Sequence, residues 1–168
     1  VGRLDREKNA IALLEIFKEA RISKDWKLQI IGDGSERKNL EQFVQENQLQ
    51  ERVTFYGTKT SEEILELLRK SKFFGFTSLK EALPTVLVEA MFCGNAIISY
   101  DCNYGPSDII NEKNGFLIHI SDRESFKEKL EFLINNEDVL NNLMTTSFRE
   151  SKNWKKEKIL EKWKLIFI

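Results

Sequence analysis

Two cysteines, two prolines and a single histidine occur among 168 residues, and neither sign of charge prevails, with 26 basic against 27 acidic side chains. Each scarcity excludes something. Cys93 and Cys102 are too few for a disulfide framework or a zinc cluster, and Cys93 falls in an apolar helical stretch, so a reducing, cytoplasmic setting is expected. His119, the only histidine, comes at a strand end late in the chain and reads as structural, and no grouping of side chains resembles a metal-ligand cluster. A net charge of −1 argues against nucleic acid as a partner, because phosphate-tracking proteins carry a clear basic excess. No apolar run approaches the roughly 18 to 20 residues of a membrane span. Linkers rich in Pro, Gly or Ser, low-complexity stretches and internal repeats are missing too, so residues 1–168 read as one α/β domain with a sizeable core.

What fills the chain instead is a regular alternation of helical and strand periods. A helix is predicted over Glu7 to Ile22, with apolar residues at Ile11, Leu14, Ile16, Phe17 and Ala20. Strands are predicted at Lys27 to Ile31, Val53 to Tyr56, Phe73 to Thr77, Ala96 to Tyr100 and Phe116 to Ile118. Between them come helices from Ser35 to Glu46 with Ser35 as N-cap, from Ser61 to Lys70 with Ser61 as cap, from Pro84 to Cys93, and a short one from Pro106 to Ile110. From Asp122 the pattern is helical throughout. Continuous Ile, Val and Phe strands separated by helices indicate a parallel, Rossmann-like sheet covered on both faces. Val1-Gly2-Arg3 reads as the end of a strand whose start is outside the sequence, so a fragment is expected.

A sheet of this kind binds ligands beyond the carboxyl ends of its strands. Gly2-Arg3, Gly32-Asp33-Gly34, Gly57-Thr58-Lys59, Ser78 to Glu81 and Asp101-Cys102-Asn103 would gather there on one rim. The glycines around Asp33 do not make a dinucleotide fingerprint, because the third glycine position is Arg37. Pro84 is placed as the first helical residue, which leaves Leu83 as an N-cap with no capping oxygen and the amides of Thr85, Val86 and Leu87 without an acceptor. Such a helix start suits a phosphate. Glu89, in an otherwise apolar helix, leans back toward Thr85 and Val86, where ribose hydroxyls would satisfy its carboxylate. The plainer alternative is a solvated loop Glu81 and a Glu89 paired with a basic neighbour; a solvated helix start is likewise the alternative for Arg3 and Lys8.

Glu81 and Glu89, with seven residues between them, followed by Ala90-Met91 and Gly94, resemble the E-x7-E signature of the retaining group 1 glycosyltransferases of family 4. Val1-Gly2-Arg3-Leu4 with Lys8-Asn9, Ile30 to Gly34, Phe55-Tyr56-Gly57 and Gly105 to Ile110 are similar to the family in order and spacing, over nearly all of the chain. The resemblance implies the C-terminal, nucleotide-sugar-binding half of the two-domain GT-B architecture, with extra C-terminal helices and an N-terminal acceptor domain absent from these residues. It assigns the catalytic set Glu81, Arg3 and Lys8: Arg3 and Lys8 neutralise the diphosphate, which is also the leaving group, and Glu81 binds hydroxyls of the transferred sugar. Glu89 would bind the ribose and the backbone at Thr58 and Lys59 the base, with Gly32, Leu83, Pro84 and the amides of Thr85 to Leu87 completing the donor site. Two positions depart from the family: Ala82 stands where a glycine is usual, and Asn95 where a proline is usual.

The expected activity is transfer of a hexose or hexosamine from a nucleoside diphosphate, UDP by preference, to a glycan or lipid-linked acceptor, with no metal or other cofactor. The alternatives are a nucleotide-sugar epimerase of the same shape and a non-catalytic nucleotide-binding module. From Arg149 to Ile168 seven basic residues face three acidic ones, and Ile159, Leu160, Trp163, Ile166 and Phe167 form an apolar stripe at helical spacing. That stripe would pack on its own domain, on the absent domain, or on an anionic membrane at its inner face.

Overall fold

The computed structural model describes residues 1–166, with side chains described as far as residue 161. The alternation is realised as a βα succession in which every strand pairing is parallel. Helix α1 (Ala10–Glu19) leads to β1 (Leu28–Ile30), α2 (Arg37–Glu46), β2 (Val53–Phe55), α3 (Ser61–Arg69) and β3 (Phe73–Phe76). Then follow α4 (Thr85–Phe92), β4 (Ala96–Asp101), α5 (Pro106–Ile109), β5 (Gly115–His119), α6 (Arg123–Asn135), α7 (Glu137–Ser151), a 3-10 turn (Lys152–Trp154) and α8 (Lys156–Ile166). Trp163, Ile166 and Phe167 of the expected apolar stripe lie outside the described side chains.

The strands form two sheets. β1 pairs with β2, Leu28 opposite Val53 and Ile30 opposite Phe55, while β4 lies between β3 and β5. β4 is buried from Ala96 through Tyr100, and its alternating side chains build two cores. Ile98 and Tyr100 join Ile16, Phe126 and Leu133 from α1 and α6. Ile97 points the other way, to Phe74, Leu87, Met91 and Ile109. Both faces of the strand are therefore covered, which is why its sequence is a continuous apolar run instead of an alternating one. Tyr100 and Phe126 meet edge to face with ring centroids 5.6 Å apart. A third cluster of Leu14, Phe17, Leu40, Val44 and Val53 packs around Ile30.

Several element ends differ from the sequence reading, each for a local reason. α1 starts at Ala10, not Glu7, because Asn9 takes a left-handed conformation (φ 49°) and the Asp5 carboxylate accepts the Lys8 N–H at 3.1 Å, closing a turn first. Ser35 does not cap α2; Glu36 occupies the cap position, and its N–H donates to the Leu4 carbonyl at 2.8 Å. α3 is capped by Thr60, not Ser61. Thr60 Oγ1 accepts the Glu63 N–H at 3.3 Å while the Glu63 carboxylate accepts the Thr60 N–H at 2.9 Å, a complete capping box. Pro84, not Leu83, holds the cap position of α4, with φ −78° and ψ 85°.

Candidate functional site

Backbone hydrogen bonds fasten the strand ends to one another. Gly2 N–H donates to Ile31 O at 2.9 Å, Leu4 N–H to Asp33 O at 2.8 Å, and Gly32 N–H to Gly57 O at 2.8 Å. Gly32 has φ 129°, and a Cβ there would stand 1.8 Å from Gly2 O, so only glycine permits this approach. Glu7 O accepts the Leu79 N–H at 2.8 Å and the Ser78 hydroxyl at 3.2 Å, and Asn9 O accepts the Thr77 hydroxyl at 2.9 Å. At the next strand end, Gly105 packs on the Ala82 to Pro84 loop so closely that a Cβ would sit 2.4 Å from Pro84 Cδ. These contacts involve four of the five expected rim segments, and Gly105, further along than the expected Asp101-Cys102-Asn103, meets the loop before α4.

Within it, Lys8 Nζ lies 2.5 Å from Glu81 Oε1. Both side chains are largely enclosed, the lysine 28% and the glutamate 11% exposed, so little solvent screens the pair. Cys102, at the end of β4, is buried beside them; burial pushes its thiol up from the ordinary range, and the Glu81 charge pushes the same way. Arg3 is not drawn into this cluster. Its guanidinium is 78% exposed and 3.3 Å from Asp5, a surface pair weak enough to open for a ligand.

The start of α4 is only partly open. Pro84 has no side-chain cap to offer, but Thr85 N–H donates to Leu83 O at 3.0 Å and Leu87 N–H to Pro84 O at 3.0 Å. Of the three amides expected to be free, Val86 N–H alone has no hydrogen-bond partner among the described residues. Glu89 is half-buried one turn further on, and no described residue forms an ion pair or hydrogen bond with its carboxylate, so the alternative of a basic neighbour is not realised there. Leu83 is 52% exposed and Pro84 buried.

Thr58 is exposed on the loop after β2, and Lys59 sends its ammonium along α3 to Glu63, 2.7 Å away. Arg37 stands behind this loop, 3.2 Å from Asp33 and 2.8 Å from Glu41, with its Nη1 3.3 Å from where a Gly57 Cβ would be. Sequence reasoning overlooked Arg37 as a support of the rim, and Ser78 as the tie between the Glu7 and Lys80 carbonyls. A serine directly after a buried strand was the available signal for the second. His119 is exposed, with Nδ1 3.0 Å from the Ile120 carbonyl, and lies opposite Asp101 at the end of the β4 and β5 pairing. Among the described residues, no three His, Cys, Asp or Glu side chains are grouped to hold a metal, and no helix is long and apolar enough to cross a membrane.

The family model for glycosyl transferases group 1 matches residues 1–150. The chain belongs to this family, and its fold is the Rossmann-like C-terminal half of a GT-B glycosyltransferase. The amylovoran biosynthesis glycosyltransferase AmsD of Erwinia amylovora is 34% identical over 163 residues, which cover 97% of this chain and 45% of the relative. A poly(ribitol-phosphate) alpha-N-acetylglucosaminyltransferase of Staphylococcus aureus is 30% identical across 99% of this chain and 34% of its own length. Among solved structures, a TarM mutant of S. aureus in complex with fondaparinux, alpha-GlcNAc-glycerol and UDP superposes with a TM-score of 0.84 at 26% identity, covering 99% of this chain and 34% of that one. The C-terminal domain of a group 1 glycosyltransferase from Francisella tularensis gives 0.83 at 25% identity, covering 95% and 84%. The chain spans less than half the length of the curated relatives described here.

Proposed function

We propose that this chain is the donor-binding domain of a retaining glycosyltransferase that takes a UDP-linked hexose or hexosamine and passes the sugar to a glycan or lipid-linked hydroxyl acceptor. The observation that carries the reading is the enclosed Lys8 and Glu81 pair, set on the strand-end rim beside an α4 whose N-terminus has no side-chain cap. Lys8 and the loosely held Arg3 neutralise the diphosphate as it departs, and Val86 N–H adds an uncharged donor to it. Glu81 orients hydroxyls of the transferred sugar. The Glu89 carboxylate, unpaired among the described residues, accepts from the ribose, and the backbone at Thr58 and Lys59 meets the base.

The UDP in the TarM complex and the sugar-transfer names of the relatives support the choice of donor. Acceptor binding is assigned to an N-terminal domain in the same polypeptide, because transfer needs the attacking hydroxyl held against the donor as the diphosphate leaves. Calorimetric titration with UDP, GDP and uridine tests the donor reading. UDP is expected to bind well above uridine; equal, undetectable binding of all three would overturn it. The 168 residues alone are expected to bind a UDP-sugar yet transfer nothing, and sugar transfer at the rate of the whole enzyme by this chain alone would contradict the division of labour.

A further inference from the structure

Four residues other than glycine take a left-handed backbone among those described: Asn9, Gln48, Tyr104 and Ser121. Tyr104, with φ 69°, is the one aromatic residue of the four, and a bulky side chain pays a steric cost for that conformation. Burial does not repay it. Tyr104 is 78% exposed, more than any other large hydrophobic residue described. Leu83, at 52%, comes next.

These two exposed side chains belong to loops that touch. Gly105 follows Tyr104 with φ 98°, and a Cβ on it would stand 3.1 Å from Ala82 O and 3.3 Å from Leu83 Cα, besides its approach to Pro84. The loop after β4 thus leaves from buried Cys102, beside Glu81, carries Tyr104 into solvent, and returns at Gly105 against the segment that follows Glu81. Tyr104 is held at the turn between two fixed points. A backbone that keeps a costly conformation for an exposed ring at such a place marks a functional position.

The order of the strand ends says which part of a donor the ring would meet. On the donor reading, on which this inference rests, the base lies at Thr58 and Lys59 after β2, and the sugar hydroxyls at Glu81 after β3. β4 is the neighbour of β3, so its loop is the next one beyond the sugar. A hexose carries its hydroxyls around its edge and C–H groups on its faces. A carboxylate serves the edge, and a face needs an apolar or aromatic surface.

We propose that Tyr104 is a specificity-determining residue of the donor site, its ring lying on the C–H face of the transferred sugar with Leu83 extending the apolar wall. Glu81 holds the hydroxyl edge of the same sugar. The nucleotide makes no contact with Tyr104.

Calorimetry on the 168-residue chain tests this with UDP, UDP-glucose, UDP-galactose, UDP-N-acetylglucosamine and UDP-N-acetylgalactosamine, comparing the parent with Tyr104→Phe and Tyr104→Asn. Asparagine suits a left-handed backbone, so Tyr104→Asn removes the ring without straining the loop. UDP affinity is expected to stay unchanged in both variants. Affinity for the tightest of the four UDP-sugars is expected to fall about 3- to 10-fold in Tyr104→Asn and to be retained in Tyr104→Phe. In NMR spectra of that complex, sugar C–H resonances should move upfield under the ring in the parent and in Tyr104→Phe, and not in Tyr104→Asn. Unchanged UDP-sugar affinity in Tyr104→Asn, an equal loss of UDP, or the same loss in Tyr104→Phe would overturn the proposal and leave the donor reading standing. A parent chain that binds none of the five ligands would overturn both.

Discussion

Lys8 Nζ and Glu81 Oε1, 73 residues apart in sequence, close to 2.5 Å because Glu7 and Asn9 carbonyls tie the turn before α1 to the end of β3. The pair satisfies two charges that burial would otherwise penalise. On the proposed reading, a diphosphate arriving at Lys8 would compete with Glu81 for the ammonium and release the carboxylate toward the sugar. Glu81→Gln is therefore expected to leave UDP binding intact or tighter, while the added affinity for a UDP-sugar falls by about 10-fold or more, as the loss of a charge-assisted hydrogen bond requires. Parallel titrations with UDP and UDP-sugars check this; equal weakening of both ligands would contradict it.

Glu89→Ala should weaken UDP by about 1.5 to 3 kcal/mol for each ribose hydrogen bond removed, with the fold retained, since the side chain is only half-buried and holds no structural partner among the described residues. Calorimetry and the thermal midpoint read the two halves of that expectation separately.

Arg3→Ala and Lys8→Ala should each reduce UDP affinity far more than uridine affinity, because uridine has no charge for either cation to neutralise. The loss of Arg3 is expected to be the more salt-sensitive of the two, its guanidinium being 78% exposed against 28% for the Lys8 side chain. Titrations at two ionic strengths decide; equal losses for UDP and uridine would remove the clamp.

The layers of the fold were legible because burial on both faces leaves a mark in the sequence. Ile97 and Ile98 serve opposite cores, so β4 is apolar throughout and cannot be an exposed strand. Helix starts were less legible where the capping acceptor is remote in sequence. Nothing near Ser35 announces that Leu4 O takes the Glu36 N–H, whereas the capping-box spacing of Thr60 and Glu63 stands in the sequence beside the expected cap Ser61. At α4 the start lacks a side-chain cap as expected, but the cap position is Pro84 in place of Leu83, and the Leu83 and Pro84 carbonyls fold back onto two of the three amides. The departure at Asn95 has a physical account that the sequence withheld: its Nδ2 donates to Leu68 O at 2.9 Å and Ser71 O at 2.6 Å, closing the end of α3 onto the start of β4. One sheet is expected from the sequence, and the described strands pair as two, β1 with β2 and β4 between β3 and β5.

The most direct measurement of the central claim is a crystal structure of this chain with UDP. The account expects the diphosphate at Lys8 and the Val86 amide, the ribose hydroxyls within hydrogen-bond distance of the Glu89 carboxylate, and Glu81 no longer closed on Lys8. UDP seated away from the strand-end rim, or bound there with its ribose turned from Glu89, would contradict it.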